Sequence, residues 1–178
     1  SNFYSGAIAW RMSDEAFIKN LNFFANLKLR FSAGQTGNQG ISAYATRSRF
    51  EAQNYPFDGT MNPGAGEDRW GGPAAANLKW ETTNQFNLGL DAAFFNNSVN
   101  LVVDLYYKKT TDLLQYRYID MSSGFNQIAC NYGDVTNKGL EITAHVIPVK
   151  TRDWMWTLDA NISFNRNKIG GLNADQFS

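Results

Sequence analysis

From Phe86 every second residue is apolar: Phe86, Leu88, Leu90, Ala92 and Phe94. The residues between them, Gln85, Asn87, Gly89, Asp91 and Ala93, are polar or small. After Asn96-Asn97 the alternation resumes with Val99, Leu101, Val103, Leu105 and Tyr107. A period of two puts alternate side chains on opposite faces of a strand, so both segments are predicted to be two-faced strands. Asn tolerates the positive φ of a tight hairpin turn, and a two-residue turn fixes the register. With Asn96-Asn97 as that turn, Phe94 pairs with Val99, Ala92 with Leu101, Leu90 with Val103, Leu88 with Leu105 and Phe86 with Tyr107. Every pair is apolar, so the turn and the hydrophobic pattern demand the same register.

A second hairpin reads alike. One strand covers Val135–Val149 and the next Asp153–Arg166, joined by a short loop centred on Thr151. Pro148 then pairs with Trp154, Val146 with Trp156, Ala144 with Leu158, Ile142 with Ala160 and Leu140 with Ile162. The other face pairs Glu141 with Asn161, Thr143 with Asp159 and His145 with Thr157. Phe3–Met12 and Leu27–Gln35 alternate too, which makes six strands. Between these two, Ser13 is a candidate N-cap for a short helical piece with Asp14 and Glu15 in its first turn. A long stretch rich in Gly, Asn and aromatics runs from Thr36 to Asn77, and Ala43–Glu51 within it is a candidate further strand.

A half-buried soluble sheet also alternates, so a soluble or cell-surface β-sandwich that binds glycans is the competing reading. Three features favour a membrane. The long strands reach about 14–16 residues, against roughly 5–6 in ordinary sheets, and about 10 tilted residues cross a bilayer. Aromatics gather at strand ends: Phe94, Phe95, Trp154 and Trp156 lie by the short turns, and Trp80, Tyr116 and Tyr118 near the long loops. Short and long connections alternate, as periplasmic turns and extracellular loops do in outer-membrane barrels. In lipid every backbone group must be paired internally, and a closed barrel achieves this. Six strands are too few to close, since such barrels begin at about 8, so further chain is expected to complete the wall.

Composition agrees. Of 178 residues, 43% are hydrophobic and 15% aromatic, with only 4 Pro, which suits β-structure. No apolar run approaches the ~18 residues of a membrane helix. The net charge is zero, without the basic excess of a nucleic-acid binder, so no nucleic-acid partner is expected. Cys130 is the one cysteine, which excludes an internal disulfide. The chain begins Ser1-Asn2-Phe3, without a Met or a leader, and is expected to be a piece of a longer one.

Five stretches then occur in order: "LKLRFSAGQTGNQ" (Leu27–Gln39), "NLKWETTNQFNLGLD" (Asn77–Asp91), "VDLYYKKTTDLL" (Val103–Leu114), "SGFNQIACNYGDVTNKGLEI" (Ser123–Ile142) and "WTLDANISFNRNKIGGL" (Trp156–Leu172). "GAIAWRMSDEAF" (Gly6–Phe17) fits the strand and periplasmic turn before them. Together they resemble the SusC/RagA family of TonB-linked outer-membrane transporters over nearly the whole chain. One departure is visible: Ala75-Ala76-Asn77 stands where the family often has Asn-Pro before Leu-Lys-Trp-Glu. The resemblance implies an all-β fold: 1–178 would be part of the barrel domain, a later segment of a large antiparallel transmembrane β-barrel of 22 strands, with an N-terminal plug outside this chain. It implies import of oligosaccharides or peptides, a SusD-like surface lipoprotein as lid, and energy from TonB through the missing N-terminal part. Lipid of the Gram-negative outer membrane would surround it.

Candidate chemistry is sparse, and neither catalysis nor a cofactor is expected. His145, the only histidine, faces the polar side without companions, whereas zinc sites need three or four ligands. Cys130 lacks a nearby base. Glu67 and Asp68 are adjacent, unlike the flanking pair of a glycosidase. "GQTGNQG" (Gly34–Gly40) lacks the Lys-Ser/Thr of a phosphate loop. In the long loop, Arg47, Arg49, Tyr55, Phe57, Arg69 and Trp70 have the chemistry to stack on sugars, clamp a peptide or meet the lid. Their alternative role is to pack the loop on itself, so no ligand residues are assigned. Asp91, Asp104, Lys108, Glu141 and Asp159 are expected on the lumen side, bonded to the plug or to water.

Overall fold

The computed structural model describes residues 2–40, 46–47, 49–68, 72–75 and 77–171. In chain order the strands are β1 (Ser5–Arg11), β2 (Phe24–Asn38), β3 (Phe50–Phe57), β4 (Thr60–Glu67), β5 (Glu81–Phe94), β6 (Val99–Thr111), β7 (Leu114–Tyr118), β8 (Gln127–Asn131), β9 (Asp134–Lys150) and β10 (Met155–Gly170). Six of them form one sheet in the order β1-β2-β5-β6-β9-β10. β3–β4 and β7–β8 are separate antiparallel hairpins. The chain divides into two compact units, one holding the six-stranded sheet and the other the two hairpins.

The six expected strands are the six of the large sheet. β2, β5, β6, β9 and β10 run 15, 14, 13, 17 and 16 residues, while β1 has 7. The first hairpin closes as the pattern requires. Ser98 N–H donates to the Phe95 carbonyl, and Asn96 and Asn97 take φ of 53° and 66°. At the far end the Thr83 and Thr110 hydroxyls meet at 2.9 Å, which that same register places opposite each other. β6 and β9 pair Val103 with Ile142, Leu105 with Leu140 and Asp104 with Glu141, so apolar meets apolar and acid meets acid.

Three expectations need correction. The second tight turn is not centred on Thr151: the Thr151 amide donates to the Trp154 carbonyl at 2.7 Å, which makes Arg152-Asp153 the loop. His145 meets Asp159 rather than Thr157. Ser13 is not a helix cap. It lies inside a 3-10 turn (Met12–Asp14), and the short helix α1 (Ala16–Lys19) starts after Glu15 with no side-chain cap. Finally, the long stretches hold two hairpins that the alternation did not mark. The first carries β3–β4, with β3 beginning at Phe50, while most of Ala43–Ser48 lies outside the described residues. The second carries β7–β8, so Tyr116 and Tyr118 belong to a hairpin and not to the ends of the large sheet.

At the short-turn end the aromatics do cluster. Phe94 lies 5.2 Å from both Phe23 and Phe24, ring centre to ring centre, and Phe95 5.5 Å from Phe23. Among the described residues the only buried apolar side chains are Leu27, Ala92, Ala93 and Ala129. Leu88, Leu105, Ile162 and Phe164 on the greasy face are 41–57% exposed. A sandwich packs that face against a second sheet. Here the face is open, as a lipid-facing wall requires.

Candidate functional site

The sheet's other face is polar, and its side chains bond across strands. Asn38 Nδ2 donates to Glu81 Oε2 at 2.8 Å, and Asn87 Nδ2 to Ser32 Oγ at 3.2 Å. The register of these two bonds sets Arg30 opposite Gly89, and the hairpin register sets Gly89 opposite Asp104. Arg30 reaches over the glycine. Its Nη2 donates to Asp91 Oδ1 at 2.8 Å and to Asp104 Oδ1 at 3.0 Å, and its Nε donates to Asp91 Oδ2 at 3.0 Å. A Cβ on Gly89 would stand 2.5 Å from Asp104 Oδ1 and 2.7 Å from Arg30 Cζ, so the missing side chain leaves the passage for the guanidinium. The fork of Arg suits this double engagement, which a Lys point charge would not reproduce. Ala9 pairs with Arg30, and Asp104 pairs with Glu141, so one row crosses five strands.

Asp91 and Asp104, expected on the lumen wall, are thus tied to Arg30, a partner that sequence reading missed. The three lie 61 and 74 residues apart along the chain. No sequence signal reached it, because no tight turn joins β2 to β5 and nothing local sets their register. Asp159 bonds to His145 Nδ1 at 2.5 Å. Lys108 and Glu141 are exposed on the same face. No group of three His, Cys, Asp or Glu side chains converges as a metal site among the described residues.

Of the long-loop candidates, Arg49 pairs with Asp68 at 3.5 Å, and the Asp68 amide donates to the Arg49 carbonyl, a clasp at the open end of the β3–β4 hairpin. Asp68 is thus held by Arg49 through both its side chain and its backbone. Tyr55 and Phe57 are exposed on β3, and Arg47 is exposed before it. Arg69 and Trp70 lie outside the described residues. The hairpin unit also holds a concavity of about 560 Å³, lined by Ala74, Ala75, Leu78 and Lys79 on one side and Ile128 to Asn131 on the other. Asn131 fastens its rim: Oδ1 accepts from the Lys79 amide at 2.7 Å, and Nδ2 donates to the Lys79 and Asp112 carbonyls, both at 2.8 Å. Cys130 is half-buried in its wall.

Comparison with known proteins accounts for this architecture. A family model described as the β-barrel of TonB-dependent receptors matches residues 1–177. A TonB-dependent receptor of Formosa agariphila is 39% identical over 98% of the chain, and TonB-dependent receptor SusC of Bacteroides thetaiotaomicron is 35% identical over 98%. The chain spans 18% of the length of each. Among solved structures, the RagAB peptide importer in its open-open state superposes with a TM-score of 0.77 at 32% identity. That match covers 94% of this chain and 18% of that one. These relatives are receptors and transporters, and their kinship is that of the SusC/RagA group. The chain belongs to the β-barrel family of TonB-dependent receptors and is a segment of a transmembrane wall in the Gram-negative outer membrane.

Proposed function

We propose that the full-length protein imports oligosaccharides or peptides across the outer membrane, driven by TonB, with a SusD-like lipoprotein as its outer lid. The observation that carries this reading is the match to SusC and the RagAB peptide importer over nearly the whole chain at 30% identity or more. Within that protein this segment is wall: its greasy face meets lipid, and its polar row faces the lumen. Lys108 and Glu141 bond to a plug or to lumen water. The exposed Tyr55 and Phe57 of the β3–β4 hairpin meet cargo or the lid. Transport of this kind works by binding and gating and needs no bond chemistry in the wall.

Deletion of the full-length gene tests the proposal. The deletion strain is expected to stop growing on one oligosaccharide or peptide mixture from a panel of sole carbon sources, and inactivating TonB is expected to give the same defect. Undiminished growth of the deletion strain across the panel would overturn it.

A further inference from the structure

We propose that the greasy outer face of the sheet carries, at its long-loop end, a docking surface for the phosphorylated headgroup of an outer-leaflet lipid. Lys138 and Arg166 are the residues that grip it. The site is additional to cargo import and rests only on the outer-membrane placement of the wall.

Lys138 lies on the face of β9 that carries Leu140 and Ile142, and Arg166 on the face of β10 that carries Phe164. Tyr107 is the cross-strand partner of Lys138. Leu105, Tyr107, Leu140 and Phe164 line a concavity of about 450 Å³ together with Lys138 and Arg166. Its floor is apolar and two cations stand at its edge. Lys109 on β6 and Lys168 on β10 follow on the same face, two residues further toward the long connections. One acid, Asp134, shares this face of β9, four residues from Lys138.

A cation on the lipid face is costly in hydrocarbon and tolerable only at the interface. Long connections mark the extracellular end, so this interface is that of the outer leaflet. Phosphate complements the paired cations there, since both Arg and Lys bind it well. An acyl chain fits the floor, which the sheet leaves open: Leu105 is 47% and Phe164 57% exposed. A phosphorylated lipid satisfies both halves of the site at once. A free anion satisfies only the cations, and a neutral lipid only the floor.

The full-length transporter tests this. Wild type and the Lys138→Gln/Arg166→Gln double variant are purified from outer membranes, stripped of lipid in detergent, and titrated with lipid A before and after phosphatase treatment. Wild type is expected to favour the phosphorylated form on the order of tenfold. The double variant is expected to lose most of that preference while keeping its heat-modifiable mobility. If the variant does not fold, wild type alone decides: its preference must fall as salt rises. Equal binding of both lipid forms by wild type, an intact preference in the double variant, or full displacement by equimolar inorganic phosphate would each overturn the proposal. So would a neighbouring membrane protein, rather than lipid, found bound at these residues.

Discussion

Arg30 and Asp104 meet at 3.0 Å across a strand to which neither belongs, over the bare backbone of Gly89. A cross-strand bond couples neighbours. This one couples second neighbours, and it exists because the intervening position has no side chain. Asp91 takes the other edge of the same guanidinium. The row therefore staples β2, β5 and β6 into one unit that a single strand slip would break.

Arg30→Ala and Asp104→Ala, separately and together in the full-length protein, are expected to show a coupling of about 0.5–1.5 kcal/mol. That is modest for a charge-assisted bond because both groups are more than a third exposed. Gly89→Ala is expected to abolish most of that coupling while leaving both charges in place. The readout is the unfolding midpoint in detergent. Additive single substitutions would mean that the bridge holds nothing together.

The Asn96-Asn97 turn offers a local test. Both residues take positive φ, where a Cβ is strained and glycine is not. Asn97→Gly is expected to be neutral or stabilising, and Asn97→Val to cost about 1–2 kcal/mol. Refolding yield into detergent reports the difference. Equal yields for Gly and Val would show that the turn does not set the register.

Asn131 makes three bonds with one amide, two of them to the backbone of Lys79. Asn131→Asp keeps the acceptor but removes both donors, and Asn131→Leu removes everything at similar volume. Each lost bond costs about 0.5–1.5 kcal/mol, so the Leu variant should loosen the rim most. Hydrogen exchange at the Lys79 amide is expected to accelerate in the order Leu, Asp, wild type. Unchanged protection in the Leu variant would contradict the assigned role.

Asp120 lies on the β7–β8 connection, outside the membrane strands. Its carboxylate accepts from the Ser122 amide at 2.8 Å, and this bond, aided by the Ser122 side chain, lowers its pKa below the ordinary carboxylate range. A depressed carboxylate stabilises the folded loop above its unfolded pKa and loses that contribution as pH falls through the lower, folded value. The Met121–Ser123 turn should hold its exchange protection across neutral and mildly acidic pH and lose it only in strong acid. Asp120→Asn should flatten that acid transition. A loop that loosens near neutrality would refute the assignment.

Much of the large sheet was legible because its rules are local. Phe86 to Tyr107 alternate, Asn96-Asn97 turns, and each constrains the other. Two other features were hidden for physical reasons. β4, "TMNPGAGE", alternates only weakly through Met61, Pro63 and Ala65 and carries Pro and two Gly, residues that argue against a strand. Asp58-Gly59, with φ of 51° and 71°, is a tight-turn pair that marks the hairpin, yet it stands beside residues that alternate only weakly. Arg30 was invisible as a bridge because its partners lie far off in sequence. Only the summed registers of three strands bring them together. Ser13 misled because a capping residue type is permissive: here its hydroxyl faces Asn26 instead.

The scarcity of buried apolar side chains inverts the usual map of mutational tolerance. In a water-soluble domain, trimming a buried leucine opens a void that its neighbours cannot fill, at about 2–5 kcal/mol. Leu88 has no such neighbours on its exposed side. Fluid lipid flows into whatever space a smaller residue leaves, so Leu88→Ala forfeits some contact but creates no vacuum. For this wall the brittle positions are the wet ones, and the oily surface is where evolution can change sizes freely.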